Sequence, residues 1–75
     1  MIGIILELGG PFREKHGQWH TLRLEEDATI RDALARVGIK EELYIVVVKN
    51  SKRAELSDRL NDGDVVVAFP PVGGG

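Results

Sequence analysis

The chain opens on its clearest alternation of apolar and polar positions. In Ile2-Gly3-Ile4-Ile5-Leu6-Glu7-Leu8, the residues Ile2, Ile4, Leu6 and Leu8 fall on one face, and this period of two predicts a strand over 2–8. GGPFREKHGQ follows, rich in glycine and charge, with Pro11 blocking continuation of the strand. It reads as a long hairpin loop with room for one helical turn. Alternation resumes over Trp19–Leu24, with His20, Leu22 and Leu24 on one face and Trp19, Thr21 and Arg23 on the other. The two strands are expected to form a hairpin.

The period then changes. Ile30, Ala33, Leu34 and Val37 stand at i, i+3, i+4 and i+7, the single apolar stripe of an amphipathic helix. Thr29 is a good N-cap, and Asp32 resembles the acidic half of a capping box. Gly38 sits where a left-handed C-terminal cap belongs, with Ile39 placed to pack back on the last turn. Tyr44–Lys49 is a β-branched run apolar on both faces, expected of a strand covered on more than one side. Asn50-Ser51-Lys52 predicts a turn, Arg53-Ala54-Glu55 a short edge strand, Ser57–Leu60 a helical turn and Asn61–Asp64 a further turn. Val65–Phe69 is the last strand.

This order, β-β-α-β-β-β, carries one main helix, which can cover one face of one sheet. The first and last strands can both be central only if they lie side by side and parallel, joined by a crossover through the helix. The expected fold is α+β and β-grasp-like: a mixed sheet of four to five strands wrapped around one main helix. Residues 1–69 form the domain, and residues 70–75 an extended, flexible tail.

Composition narrows the chemistry. A 75-residue chain buries only about 60% of the surface its unfolded form exposes, so most apolar residues are needed for the core. There are no cysteines, which removes disulfides, thiolate metal sites and thiol nucleophiles together. His16 and His20 cannot alone supply the usual three-ligand zinc site, so no metal is expected. Ser51 and Ser57 have no evident base, and no hydrolase constellation can be built. A formal charge of −2 leaves no basic footprint for nucleic acid. No stretch approaches the roughly 18 apolar residues of a membrane span, and the N-terminus lacks the basic region of a signal peptide. A soluble, cytoplasmic domain is expected, without nucleic-acid or membrane partners. Lys49, Lys52, Arg53 and Arg59 either form a solvated face or steer an acidic partner.

The segments DATIRDALARVGI (27–39), LNDGDVV (60–66) and AFPPVGGG (68–75), with the loop PFREKHG (11–17), carry a resemblance. Over essentially its whole length the chain resembles the MoaD/ThiS family of ubiquitin-like sulfur carriers, most closely the MoaD type, the small subunit of molybdopterin synthase. The tail is its most specific part. The resemblance implies a carrier rather than an enzyme. An activating enzyme of the MoeB/ThiF type uses ATP to adenylate the carboxylate of Gly75, with Gly74 beside it. A sulfur donor such as a cysteine desulfurase or rhodanese converts the adenylate to a thiocarboxylate. That group delivers sulfur to an acceptor, in the MoaD case a pterin precursor held by the large synthase subunit in molybdenum or tungsten cofactor synthesis. No cofactor is bound by the carrier itself. Alternatives are sulfur carriage for thiamine, tRNA thiolation or cysteine synthesis, a ubiquitin-like protein modifier, and an inert interaction domain. Three departures stand out: a third glycine, Gly73, before the active pair; the Gly9-Gly10 opening of the first loop; and Glu7 at a position that is often apolar and outward-facing in the family.

The residues of the tail suit that role physically. Glycine has the smallest cross-section and the widest choice of φ/ψ for threading a narrow channel. Pro70-Pro71 fixes φ and favours an extended exit. At about 3.1–3.6 Å per residue, the residues after Phe69 could reach roughly 20 Å. If Val66 and Ala68 face the helix, then Val65, Val67 and Phe69 face outward, joined by Ile5 and Trp19. Ile5, Val67, Phe69, Pro70, Pro71, Val72 and Gly73 are then the candidate partner-binding residues. The competing reading places Phe69 and Trp19 in the core.

Overall fold

In the computed structural model, which describes residues 1–40 and 44–71, the opening alternation is strand β1 (Ile2–Leu8), with its even-numbered residues buried. The loop after it contains a short helix, α1 (Pro11–His16), with the proline in its first turn. Strand β2 (Trp19–Leu24) returns antiparallel to β1, pairing Ile4 with Leu22 and Glu7 with Trp19. After helix α2 (Ile30–Arg36) come β3 (Val46–Lys49), β4 (Lys52–Ala54) and β5 (Val65–Phe69). The sheet order is β2-β1-β5-β3-β4. β1 and β5 are parallel neighbours in register Leu6↔Val66 and Leu8↔Ala68. β5 and β3 are antiparallel, as are β3 and β4. The last strand therefore lies at the centre, reached by the crossover that the single helix demands.

Helix α2 is held by its ends. Thr29 accepts from the backbone N–H of Asp32 through its hydroxyl (3.3 Å), and Asp32 Oδ2 accepts from the N–H of Thr29 (2.9 Å). Aspartate completes the capping box as glutamate would. At the other end, Gly38 adopts φ +93°. The N–H of Ile39 donates to the carbonyl of Leu34 and that of Gly38 to Ala35, the two bonds of a Schellman closure. This turn brings Ile39 back into the core, 6% exposed. Between the caps, Ile30, Ala33 and Leu34 are buried against the inner face of the sheet, and Val37 is half-buried at the margin. The central inward residues Ile4, Leu6, Leu8, Val47, Val66 and Ala68 are all at most 1% exposed.

Three expectations are corrected. The run from Tyr44 is covered on one side only: the strand begins at Val46, Val47 alone is buried, and Tyr44 is exposed. One helix cannot cover two faces, so the outward Val46 and Val48 lie beside Phe69 and Val67 on β5, and Val48 also beside Arg53 on β4. Residues 57–60 form no helical turn. Instead a turn closes between Glu55 and Asp58, and Arg59 makes a bridge to Thr29, with Ile30 N–H donating to Asp58 and Leu60 N–H to Ala28. These bonds dock the segment against the start of α2 and bury Leu60 at 1% exposure. The β3–β4 hairpin turns through Asn50 and Ser51 alone, both at positive φ, so Lys52 already belongs to β4. Such a two-residue turn matches the twist of the flanking strands.

Candidate functional site

The strand alternation that fills the core also builds the opposite surface. On β5, Val66 and Ala68 are fully buried, whereas Val65, Val67 and Phe69 point away from the helix. Register places Ile5 beside Val65 and Glu7 beside Val67 on one flank. On the other flank Val48 lies beside Val67 and Val46 beside Phe69. One row, Trp19–Glu7–Val67–Val48–Arg53, crosses all five strands. Trp19 is 60% exposed and Ile5 42%, so the indole belongs to the surface rather than the core. Phe69 is half-buried on the same outer face. The structure thus brings together Ile5, Val65, Val67, Phe69 and Trp19, and adds Val46 and Val48 to them. Glu7 stands among these apolar side chains, its Oε2 accepting from Nε2 of Gln18 at 3.1 Å.

β5 leaves the sheet at this face along a defined path. The N–H of Gly9 donates to the carbonyl of Ala68 at 3.0 Å. A side-chain carbon on Gly9 would lie 3.4 Å from Cβ of Phe69, and one on Gly10 would lie 3.8 Å from Cδ of Pro70. Backbone without side chains therefore runs beside Phe69 and Pro70 at the strand exit. At those distances the added carbons would make only ordinary contacts, so crowding does not require glycine; Gly10 is favoured by its positive φ of +58°, and nothing in the structure explains Gly9. Pro70 is half-buried and Pro71 exposed. Val72, Gly73, Gly74 and Gly75 lie outside the described residues.

The opposite end of β5 is anchored by a polar network the sequence reading missed. Asp64 is buried at 6% exposure. Its Oδ2 accepts from the N–H of Asn61 at 2.7 Å and its Oδ1 from Nδ2 of Asn50 at 2.8 Å. Asn50 Oδ1 in turn accepts from the N–H of Val65, and Asp62 Oδ1 from the N–H of Gly3. Burial pushes the Asp64 carboxyl up, but the Asn61 N–H, the Asn50 amide and the nearby Lys49 ammonium outweigh it and leave it below its ordinary value. Lys49 itself donates to the carbonyl of Arg59 at 3.1 Å. It is tied into the fold, whereas Lys52, Arg53 and Arg59 have exposed side chains.

The remaining candidates carry little chemistry. His16 lies beside Gly38, and Nε2 of His20 is 3.1 Å from the carbonyl of Gly17. Among the described residues no group of three or more His, Cys, Asp or Glu could hold a metal ion, and no helix is long and apolar enough to cross a membrane. One open cleft, of about 680 Å³, is lined by Tyr44, Ile45, Arg53 and Leu56 among others. A second, of about 330 Å³, lies between α1 and the end of α2.

Comparison with known proteins places this arrangement. The ThiS family model matches residues 6–75. Among solved structures, small archaeal modifier protein 1 of Haloferax volcanii is 30% identical, with a TM-score of 0.78 over 97% of this chain and 99% of that one. A chain from the complex of subunits 1 and 2 of the molybdopterin-converting factor of Helicobacter pylori is 25% identical, with a TM-score of 0.65 over 99% of this chain and 100% of that one. The thiamine biosynthesis protein ThiS of Geobacter metallireducens shares the fold at 21% identity, with a TM-score of 0.58 over 95% and 99% of the two chains. None of the curated proteins matches the chain by sequence.

Proposed function

The chain belongs to the ThiS family, and from that premise we propose that residues 1–69 are a carrier domain and residues 70–75 a tail whose Gly75 carboxylate is the working group. The observation that carries this reading is the place of β5. It is the central strand, clamped on both sides, and it ends at Phe69 within an apolar face. The segment beyond it therefore starts inside a surface suited to docking, and a partner seated there has the tail at hand.

In this reading the activating enzyme joins the Gly75 carboxylate to AMP, releasing pyrophosphate from ATP. The persulfide sulfur of a donor then attacks the acyl carbon, and the C–S bond forms as the C–O bond to AMP breaks. A second cysteine thiol of the partner proteins then cleaves the S–S bond to the donor, forming a disulfide with it and leaving the thiocarboxylate. The 75 residues contain no cysteine, so this chain has no thiol of its own to carry sulfur as a persulfide, and the terminus is the place to store it. The domain's part is mechanical: β1 and β3 hold β5 rigid, the Gly9 N–H ties down Ala68 before the exit, Pro70-Pro71 extends it, and Ile5, Val67 and Phe69 meet the partner. ATP acts in the activating enzyme, and no cofactor is held by the carrier.

The favoured acceptor is the large subunit of molybdopterin synthase, supported by the likeness to one chain of the Helicobacter pylori complex. A second reading, attachment of Gly75 to lysines of target proteins, is supported by the 30% identity to an archaeal modifier. The same adenylate serves both. Intact mass after incubation with an activating enzyme, ATP and a sulfur donor tests the shared step: one carboxylate oxygen is expected to be replaced by sulfur. A terminus that keeps both oxygens rejects sulfur carriage, and branched Gly75–lysine peptides in a cell digest would select the modifier. Deletion of Gly75, or Gly74→Val, is expected to abolish sulfur loading while leaving the melting temperature nearly unchanged. A large fall in Tm would make the tail structural.

A further inference from the structure

Glu7 is the one acidic residue inside the apolar outer face, and its setting identifies what must lie across from it. In register it is flanked by Trp19 on β2 and Val67 on β5, with Ile5 two residues back on its own strand. Gln18 Nε2 supplies its one hydrogen bond among the described residues, to Oε2. The cation in the same row, Arg53, is three strands away, about 14 Å at the usual strand spacing, too far for an ion pair. In free solution water satisfies the rest of the carboxylate. A partner that covers Ile5, Val65, Val67 and Phe69 strips that water away. An ionised carboxylate sealed against apolar surface is strongly unfavourable, and one neutral amide donor does not offset the loss.

We propose that Glu7 and Trp19 together receive an arginine side chain from the activating enzyme when it docks on this face, so that position 7 selects that partner. The argument for arginine over lysine is the neighbour. An indole 60% exposed beside the carboxylate offers a flat face on which a guanidinium stacks while its fork donates to Glu7. Gln18 holds Oε2 from the β2 side and so fixes the carboxylate for the incoming donors. The partner's complementary surface is accordingly apolar with one central arginine, a pattern that a wholly apolar face would not require. The assignment rests on the activating enzyme proposed above as a partner and names the chemistry of its contact.

The test uses the full chain and the activating enzyme of the MoeB/ThiF type from the same organism. Calorimetry measures the complex, and intact mass separately measures sulfur loading. Glu7→Gln is expected to weaken binding about 30-fold and Glu7→Arg about 100-fold or more, within the range seen when one partner of a buried charge pair is removed. The loading reaction should show a raised KM for the carrier with kcat unchanged at saturation. Trp19→Leu, which keeps an apolar side chain, should weaken binding several-fold. One arginine→glutamate change on the enzyme should restore binding to the Glu7→Arg variant. Melting temperatures of all variants are compared so that unfolding is not read as lost contact. Glu7→Leu binding as tightly as wild type, or more tightly, overturns the proposal, as does a wild-type chain that forms no complex. A complex that shows these charge effects without sulfur loading upholds the contact and rejects sulfur carriage, so the two failures are distinguishable.

Discussion

Asp64 shows how one side chain can set the position of a strand. Its two carboxylate oxygens take N–H donors from Asn61 and Asn50, and Asn50 passes the constraint to the N–H of Val65, the first residue of β5. Asparagine at this position would turn an NH2 group toward one of those donors. Asp64→Asn is therefore expected to destabilise the domain by about 1.5–3 kcal/mol at neutral pH, the usual worth of hydrogen bonds to a charged group. The carboxyl is held below its ordinary value in the folded state. As pH falls, the unfolded chain takes up that proton first. The contribution is therefore complete above the ordinary carboxylate value and is lost as pH falls through the lowered folded-state value. Thermal melts from neutral to strongly acidic pH should show a steeper acid loss in wild type than in Asp64→Asn, and parallel curves would deny the carboxylate this role.

At the scale of elements, α2 is the part that sequence describes best, because its signals are local. Thr29, Asp32 and Gly38 act on the backbone within four residues, and the structure places each bond where the pattern expects it. Thr29→Ala should cost about 1 kcal/mol. Gly38→Ala should cost about 1–2 kcal/mol through its left-handed backbone alone, because the added carbon would meet His16 at an ordinary 3.6 Å. In a domain of this size each kcal/mol lowers Tm by about 4–8 °C. Gly38→Asn falling no less than Gly38→Ala would point to crowding rather than backbone strain, since asparagine tolerates that region better. Elsewhere the local signals gave out. Residues 57–60 carry helix-compatible types, yet the start of α2 offers Asp58 and Leu60 backbone partners from 28 residues or more away, and the bridge wins. The β-branched run from Tyr44 is apolar on both faces whether one or two are covered, so composition could not report that its outer face meets no helix.

The whole molecule resolves what no segment could: which apolar residues are core and which are surface. A triple-valine strand reads the same in either register, and only pairing with β1 shows that Val66 and Ala68 go in while Val65, Val67 and Phe69 go out. The expected outward set of residues 5, 19, 65, 67 and 69 agrees with the structure because strand alternation is shared across the sheet. Glu7 was visible as an oddity but acquired meaning only once β5 lay beside it, and Gly10 only through its positive φ. The two faces of β1 should accordingly respond in opposite ways to the same substitution. Ile4 is 1% exposed and Ile5 42%. Ile4→Asp buries a charge without a partner and should unfold the domain, a loss of about 4 kcal/mol or more. Ile5→Asp should cost about 1 kcal/mol or less in stability, yet prevent docking of the activating enzyme, because it sets a second carboxylate in the face that already carries Glu7. Circular dichroism melts beside a binding titration separate the two effects. A Tm for Ile5→Asp as low as that of Ile4→Asp would mean that the outer face is part of the core, and undiminished binding would mean that partners dock elsewhere.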